Sequence, residues 1–559
     1  MKFASLKKPI LILSLILLVA GLFRLLYLGR PDVVGDESIN AFRSLGNWDF
    51  FAEDGQATII NWFEPLPWWA HLSFHDHPPL SFWLNSLILN LFGPTPFAVR
   101  LLSALSGIIS VLLLYLLAEK LFDQRVGFLA AGLLAVNNFA IWISRIGLQE
   151  SLLISLILAS LYFLVLARQK EIYLLSAFLF FGLALLTKYT AILLLPLFLW
   201  LILGRPAWRR SRQFYLGFLV FLAVISPVII YNLNLFASRG HFDLQLSYIF
   251  GLADKVPGWQ NLPGKSDLSL IQRLTTLPAA LGEYSSWPFL VLALLAIIYG
   301  LSQLRRKNFS GIFLGLWLMA TLAIITATGP QPRFLTLFLP PVVLLMAKLF
   351  GDILAPKKFR LASLIFLSLF LAYEVFYSFN TFFLPSPLGQ ASYTYSDYLF
   401  RERGSWGFNQ LDDYLETKLA GKVPALRFQL SNAYLEQRVS NSFEKSQGQE
   451  TPILLIYDFN IKDGPDIWYL KRRQFFGGWP LLTANVFVNT LKEQGEDYYQ
   501  QQGFEKFYFI QPTNNTLLRP VERRTDTGQE LGASLRGQGI EPAVITNLAG
   551  EWSFLVYEF

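Results

Sequence analysis

The feature that most constrains this chain is a series of long apolar runs separated by short polar or basic turns. An α-helix needs roughly 20 apolar residues to cross the hydrocarbon core of a bilayer, and the first run, 9–28 (PILILSLILLVAGLFRLLYL), has that length. Charged residues make up only 15% of the sequence, whereas a soluble domain carries roughly 25%. The sequence therefore predicts an α-helical polytopic membrane protein.

The first apolar run is predicted to be a retained membrane anchor. Lys2, Lys7 and Lys8 precede it, as basic residues precede the apolar part of a signal peptide. Its apolar part is longer than that of a signal peptide, and no small-residue cleavage site follows.

The chain has no cysteine, which excludes disulfides and thiolate metal sites.

The apolar runs predict eleven membrane spans. The segment 79–93 is left out, because about fourteen apolar residues suit a helix that lies in or dips into the interface. With this count the basic turns, which explain the net charge of +7, all fall on one side, and the positive-inside rule assigns that side to the cytoplasm. The predicted spans are 9–28, 97–118, 127–143, 151–167, 172–187, 190–204, 214–232, 287–304, 311–328, 333–350 and 361–383.

After about Pro385 the composition becomes that of a soluble domain. The segment GFNQLDDYLETKLAGK places four apolar side chains on one helical stripe, with Gly421 at its end. The segments TPILLIYDF, FEKFYFIQP and SFLVYEF have the pattern of short buried strands. We therefore predict a membrane domain at 1–384 and an extracytoplasmic soluble α/β domain at 385–559, without a P-loop or a dinucleotide-binding glycine motif.

Several polar residues fall on the predicted outer side. An exposed acidic pair such as Asp36–Glu37 is as often a solvated loop feature as a functional pair. Lys188, taken alone, could simply extend its ammonium group to the membrane interface. Charged groups at membrane depth cost roughly 2.5–3.5 kcal/mol, so a set of them indicates pairing or function. The set comprises Asp36 and Glu37 (GDES), His75, Asp76 and His77 (HDHPPL), Arg145 and Glu150 (SRIGLQE), Lys188 (TKYT) and Arg333 (PRF).

The order and spacing of these motifs resemble a known family. The GDES, HDHPPLSFWLNSLILNLFG, SRIGLQE, TKYTAILLLP and PRFLTLFLPP segments are similar to those of the GT-C glycosyltransferases of the protein O-mannosyltransferase-like and aminoarabinose-transferase-like branch. The resemblance is good over 30–200 and fair to about 350. It implies a GT-C fold with interfacial helices beside about eleven spans. It also implies an enzyme that moves a sugar from a polyprenyl-phosphate donor to an acceptor outside the plasma membrane.

The resemblance also implies roles for these residues. Asp36 would be the base for the acceptor hydroxyl, with Glu37 as its orienting neighbour, and Glu150 would hold the acceptor or help to bind a metal. Lys188 and Arg333 are expected to bind the donor phosphate. Arg145 is either a third phosphate ligand or part of a structural ion pair.

The sequence HDHPP leaves two interpretations open. His75, Asp76 and His77 have the ligand types for Zn²⁺, Mn²⁺ or Mg²⁺, and His241 could complete the site. Alternatively, Asp76 and His77 hydrogen-bond to phosphate or sugar without a metal. The aminoarabinose branch commonly has lysine where this chain has His77, so His77 is expected either to be protonated when phosphate is bound or to be a metal ligand.

Two other functional classes are compatible with many spans. A transporter or lipid flippase would place polar groups near the midplane and show repeated halves, whereas these acids lie at one face. A binding protein for sugar lipids would retain the donor without turning it over.

Overall fold

The computed structural model describes residues 2–46, 77–255, 268–305, 308–358, 360–402, 404–424, 450–461, 464–516 and 521–559. They divide into two compact units. The first comprises Met1–Leu28 and Asn47–Glu402, and the second comprises Gly29–Gly46 and Arg403–Phe559.

The secondary structure is mostly helical, with strands described only in the C-terminal part. The helices are α1 (Lys2–Leu25), α2 (Asp36–Gly46), α3 (Leu80–Phe92), α4 (Pro96–Leu121), α5 (Gln124–Val136), α6 (Asn138–Ser144), α7 (Glu150–Leu166), α8 (Tyr173–Thr187), α9 (Leu195–Leu203), α10 (Arg212–Arg239), α11 (Leu244–Ile249), α12 (Leu270–Thr275), α13 (Leu277–Tyr284), α14 (Trp287–Arg305), α15 (Phe309–Thr328), α16 (Pro332–Leu335), α17 (Leu339–Ile353), α18 (Arg360–Phe382), α19 (Asp397–Glu402), α20 (Phe408–Leu419), α21 (Arg472–Gly477), α22 (Ala484–Gln494), α23 (Tyr498–Gln501) and α24 (Thr527–Gly537). The strands are β1 (Val423–Pro424), β2 (Glu450–Thr451), β3 (Ile453–Tyr457), β4 (Leu481–Thr483), β5 (Lys506–Pro512), β6 (Ala543–Thr546) and β7 (Trp552–Glu558).

The predicted spans coincide with apolar helices of the first unit. Among the described residues, seven helices are long and apolar enough to cross a membrane, and α5 with α6 forms an eighth candidate that is bent by 65°. The other predicted spans match shorter apolar helices, namely α7, α8 and the 3₁₀ turn Tyr189–Leu194 with α9. The predicted interfacial segment forms α3, whose 13 residues are too few for a full crossing.

A buried arginine of α1 holds the break between α5 and α6. The Arg24 guanidinium donates to the carbonyl oxygens of Leu134 at 3.2 Å and Ala135 at 3.0 Å, and to Ser144 Oγ at 3.3 Å. These carbonyls belong to the last turn of α5, where intrahelical donors run out. A Cβ on Gly107 would stand 2.2 Å from Ser144 Oγ, so glycine is required there for this close approach.

A second arginine, Arg145, bonds to the C-terminal end of α1. Arg145, which follows α6, donates to the carbonyl oxygens of Phe23 at 2.8 Å and Leu26 at 2.9 Å. Its guanidinium also lies 5.2 Å from the centre of the Phe383 ring. We call Arg24 and Arg145 the arginine clamp, because Arg24 of α1 caps the C-terminal end of α5, and Arg145, which follows α6, caps the C-terminal end of α1.

The segment directly after the first span is part of the second unit. Asp32 accepts hydrogen bonds from the backbone N–H groups of Trp406 at 2.6 Å, Gly407 at 3.0 Å and Asn409 at 2.8 Å. It therefore caps α20, whose own N-cap residue is a glycine with a φ of 94°. The Val33 N–H donates to the Tyr469 hydroxyl at 2.7 Å.

The second unit contains a five-stranded mixed sheet of order β4-β3-β5-β7-β6. Strands β4, β3 and β5 are parallel, and β7 runs antiparallel to both β5 and β6. All five residues of β3 are buried, which explains its uninterrupted apolar sequence. The three predicted strand segments form β3, β5 and β7, and the predicted helix forms α20 before Gly421, which has a φ of 70°.

The units do not divide at the predicted boundary between residues 384 and 385. Residues up to Glu402 belong to the first unit, and Gly29–Gly46 belongs to the second. The reason is local bonding: Asn380 donates to the Leu388 carbonyl at 2.9 Å, and the Ser396 N–H donates to Thr381 Oγ1 at 3.1 Å. Composition alone marked where polarity changes, not where packing changes.

We predict that Arg24→Met destabilises the protein by about 2–4 kcal/mol, because the buried carbonyls of Leu134 and Ala135 would lose charged donors. Thermal unfolding in detergent should show the loss as a lower Tm. Arg210→Met, at an exposed arginine, is the matched control and should leave the Tm unchanged. An Arg24→Met protein as stable as the wild type would contradict this role.

Asp458 is a buried acid at the carboxyl end of β3. It is 1% exposed, and its Oδ1 accepts the Asn460 N–H at 2.8 Å. A Cβ on Gly528 would stand 2.0 Å from Asp458 Oδ2, so the first turn of α24 fits closely against the carboxylate. Burial raises the pKa of Asp458 to about 6, and the Asn460 hydrogen bond offsets part of that rise.

We expect Asp458 to make the protein less stable as pH rises from about 4 to about 6. Below the unfolded pKa both states are protonated, whereas above the folded pKa the folded state must hold a buried charge. The full loss is at most about 3 kcal/mol. Tm measured against pH should fall less in Asp458→Asn than in the wild type. Parallel curves for the two proteins would rule out this contribution.

Candidate functional site

A buried ion pair joins two of the residues that the sequence singles out. Glu150 is the first residue of α7, and Lys188 directly follows α8. Because α7 and α8 form a helical hairpin, its two open ends lie together. The Lys188 ammonium donates to a Glu150 carboxylate oxygen, and the residues are only 7% and 2% exposed.

Arg333 adds a second cation beside this pair. Arg333 lies in α16 and interacts electrostatically with the Glu150 carboxylate. The ring of Phe334 has Lys188 Nζ at 5.1 Å and Arg333 Cζ at 5.4 Å from its centre, distances typical of cation–π contacts. Two cations and one carboxylate thus converge, an arrangement that suits an anionic group such as a phosphate.

The sequence did not reveal a neighbouring network that fixes Tyr189. The Tyr189 hydroxyl donates to Asp243 Oδ2 at 2.5 Å, and Asn232 Nδ2 donates to the same oxygen at 2.9 Å. Asp243 also caps α11 by accepting the Leu246 N–H at 2.9 Å. The one available signal was an aspartate before a short apolar helix, which is a capping pattern, but the link to Tyr189 is tertiary.

The acidic pair Asp36–Glu37 lies in the second unit, at the first turn of α2. Asp36 is exposed, whereas Glu37 is buried. The helix start is fixed by Ser38, whose hydroxyl donates to the Gly464 carbonyl at 2.9 Å. Glu150, Lys188 and Arg333 belong to the first unit. The proposed roles of Asp36 and Glu37 stay predictions.

Arg145 bonds to backbone carbonyls at the end of α1, as described above for the arginine clamp. These contacts fit a structural role. Its role in phosphate binding stays a prediction.

Of the four predicted metal ligands, the structure describes His77 and His241. His75 and Asp76 lie outside the described residues, and His77 directly precedes the two prolines before α3. His241 Nδ1 stands 2.7 Å from the Phe242 carbonyl oxygen, which makes Nδ1 the protonated nitrogen and leaves Nε2 as the possible ligand atom. Within the described ranges no three His, Cys, Asp or Glu residues are grouped as metal ligands. A metal here stays a prediction.

Comparisons with known proteins find related sequences. A family model described as dolichyl-phosphate-mannose-protein mannosyltransferase matches residues 76–231. An undecaprenyl phosphate-alpha-4-amino-4-deoxy-L-arabinose arabinosyl transferase 2 of Proteus mirabilis is 24% identical over 56% of this chain and 56% of its own length. The transferase 1 of Pseudomonas fluorescens is 27% identical over 62% of this chain and 61% of its own length. The chain thus spans less than two thirds of these relatives.

Solved structures show the same architecture. ArnT from Cupriavidus metallidurans, crystallised with undecaprenyl phosphate, superposes with a TM-score of 0.54 at 14% identity, over 98% of this chain and 97% of that one. The oligosaccharyltransferase of Archaeoglobus fulgidus gives 0.50 at 14% identity, over 90% of this chain and 69% of that one. The chain therefore has the fold of these two structures. The residues that the family model matches, 76–231, lie within the part of the sequence that carries the resemblance described above, so the resemblance is confirmed for the fold and for this segment.

Proposed function

We propose that the protein is a membrane glycosyltransferase that moves a sugar from a polyprenyl-phosphate donor to an acceptor outside the cytoplasm. The observation that carries the proposal is the convergence of Lys188 and Arg333 on Glu150 and Phe334. The related transferases named above support the donor class, since their names specify polyprenyl-phosphate sugars.

The proposed chemistry assigns the cations to the leaving group. The bond between the sugar's anomeric carbon and the phosphate oxygen breaks, and the lipid phosphate keeps the electron pair. Lys188 and Arg333 stabilise the charge that develops there. The acceptor hydroxyl forms the new bond to the anomeric carbon and gives its proton to a carboxylate base, for which Asp36 is our candidate. Glu150 orients the Lys188 ammonium.

We further propose eleven membrane crossings with the N-terminus in the cytoplasm. The seven long helices, the bent α5–α6 pair, α7, α8 and the Tyr189–Leu194 turn with α9 supply eleven helical segments. Under this topology the basic turns face the cytoplasm. Glu150, Lys188 and Arg333 then all lie in outer turns, and the second unit lies outside the plasma membrane. A donor with a lipid tail would be reached at that face.

We expect purified wild-type protein in lipid vesicles to release labelled sugar from at least one of two donors, a polyprenyl-phosphate hexose and a polyprenyl-phosphate 4-amino-4-deoxypentose. Asp36→Asn should lower turnover by at least about 100-fold through loss of the base. Lys188→Met and Arg333→Met should each lower it roughly 100-fold to 1000-fold. The readout is sugar released per minute.

The controls for this assay are exposed residues of the same types. Asp497→Asn and Arg210→Met should release sugar at the wild-type rate. Donor that is bound but never cleaved by the wild type, with acceptor present, would favour a binding protein instead. Adding EDTA tests the predicted metal: loss of turnover that Zn²⁺, Mn²⁺ or Mg²⁺ restores would support a metal at the predicted histidines.

The contribution of the Glu150–Lys188 ion pair to stability can be tested without a substrate. Lys188→Met should destabilise the protein by about 3 kcal/mol, because Glu150 would keep a buried charge that only Arg333 offsets. Adding Glu150→Gln should restore most of the stability. Lys348→Met removes the ammonium from a more exposed pair with Asp352 and should cost less than about 1 kcal/mol. Thermal unfolding that shows additive losses for the double variant would contradict the coupling.

A further inference from the structure

Helix α2 is docked on one segment of the C-terminal chain, residues 464–476, which we call the docking segment. The Ser38 hydroxyl lies 2.9 Å from the Gly464 carbonyl oxygen, and the centre of the Phe42 ring lies 5.1 Å from that of Phe476. All of these residues belong to the second unit. Ser38 and Phe42 are four positions apart, so they lie on one face of α2.

Asp36 lies on the opposite side of α2 from this docked face. It stands two positions before Ser38, which is about 200° around an α-helix. Asp36 is exposed, whereas Ser38 is fully buried. The docking contacts therefore hold the helix while the Asp36 side chain stays exposed.

The approach of the docking segment to the start of α2 is close enough to require glycine. A Cβ on Gly464 would stand 3.1 Å from the backbone nitrogen of Gly35 and 3.5 Å from its Cα. Gly464 has a φ of 148° and Gly35 has a φ of 58°, values that favour glycine. A side chain at position 464 would strain its own backbone and press on the residue directly before Asp36.

Gly464 is held in place by the docking segment itself. Its N–H donates to Asp466 Oδ1 at 3.1 Å, and its carbonyl oxygen accepts the Ile467 N–H at 3.1 Å. Asp466 is 1% exposed, and its Oδ2 lies 3.5 Å from Lys471 Nζ. The turn Ile467–Lys471 is π-helical, a rare geometry that is frequent at functional sites. Gly464 is thus a fixed point against which α2 begins.

We infer that Gly464 is a positioning residue for the catalytic base, because it fixes the start of α2 and with it the place of the Asp36 carboxylate. This inference rests on the proposed function, in which Asp36 takes the proton of the acceptor hydroxyl. A base must lie within hydrogen-bond reach of the proton that it takes. A misplacement of about 1 Å can lower a rate about 100-fold. The docking segment is therefore needed for the chemical step itself.

The test measures sugar release from a polyprenyl-phosphate hexose and a polyprenyl-phosphate 4-amino-4-deoxypentose by the full-length protein in lipid vesicles. Gly464→Ala should lower kcat by about 10-fold to 100-fold. The KM for the donor should stay unchanged, because Lys188 and Arg333 belong to the first unit. Gly495→Ala is the matched control and should keep the wild-type kcat. Gly495 lies in the second unit with a φ of 103°, and a Cβ there would meet no atom within 4 Å.

A smaller change tests the same contact with less strain. The Ser38 hydroxyl lies 2.7 Å from the Gly35 carbonyl oxygen as well as 2.9 Å from that of Gly464, so Ser38→Ala removes a bond shared between them. It should lower kcat by about 3-fold to 10-fold. Ser44→Ala should leave kcat unchanged, because the buried Ser44 hydroxyl bonds only within α2, to the Asn40 carbonyl.

Hydrogen exchange provides a readout that does not depend on activity. The backbone amides of α2 should exchange faster in Gly464→Ala and in Ser38→Ala than in the wild type, because the helix loses its docking contact. The Gly495→Ala and Ser44→Ala controls should exchange at the wild-type rate. Unchanged exchange in Gly464→Ala would contradict the inference.

A double variant separates positioning of the base from general stability. Gly464→Ala combined with Asp36→Asn should release sugar no more slowly than Asp36→Asn alone, because there is no longer a base to misplace. If the two losses multiply, or if Gly464→Ala and Gly495→Ala lower kcat equally, the positioning role is wrong and the transferase stands. If the wild type cleaves neither donor, or Asp36→Asn keeps the wild-type turnover, the proposed function or its base fails, and this inference fails with it.

Discussion

The first unit depends on buried guanidinium groups that satisfy helix ends within an apolar core. Arg24 bonds to the last carbonyls of α5, and Arg145 bonds to the last carbonyls of α1. In surroundings without water, free carbonyls at a helix end need such donors. The clamp therefore permits a 65° break between α5 and α6. After that break α6 begins at Asn138, and it ends at Ser144, six residues before α7 begins at Glu150.

In the candidate site, buried charged groups are stabilised by one another, as the buried carbonyls are by the arginines. A carboxylate and two cations meet at the ends of buried helices, where each charge would be costly alone. Their joint burial is tolerated because Glu150 and Lys188 are bonded directly and Phe334 faces both cations.

Some of this organisation follows from sequence patterns. The apolar runs matched helices because their length and lack of charge leave few other folds. The three predicted strand segments form β3, β5 and β7, because their apolar runs are too short for a membrane span. Gly421 follows the end of α20, as its position predicts. Glu150, Lys188 and Arg333 were found as charges in apolar surroundings, and the structure brings them together. The clamp was missed, since a single arginine in an apolar run shows nothing of the carbonyls it will meet.

The sequence by itself determined the helical membrane class, the register of most helices and the set of polar residues outside the ordinary apolar pattern, because these follow from local composition and periodicity. Only the tertiary structure decided that Asp32 caps α20 across 376 positions of chain, that Tyr189 bonds to Asp243, and that Arg145 is bonded to the end of α1. Such hydrogen bonds join residues far apart in the chain. Their partners are fixed by packing, which no local pattern records.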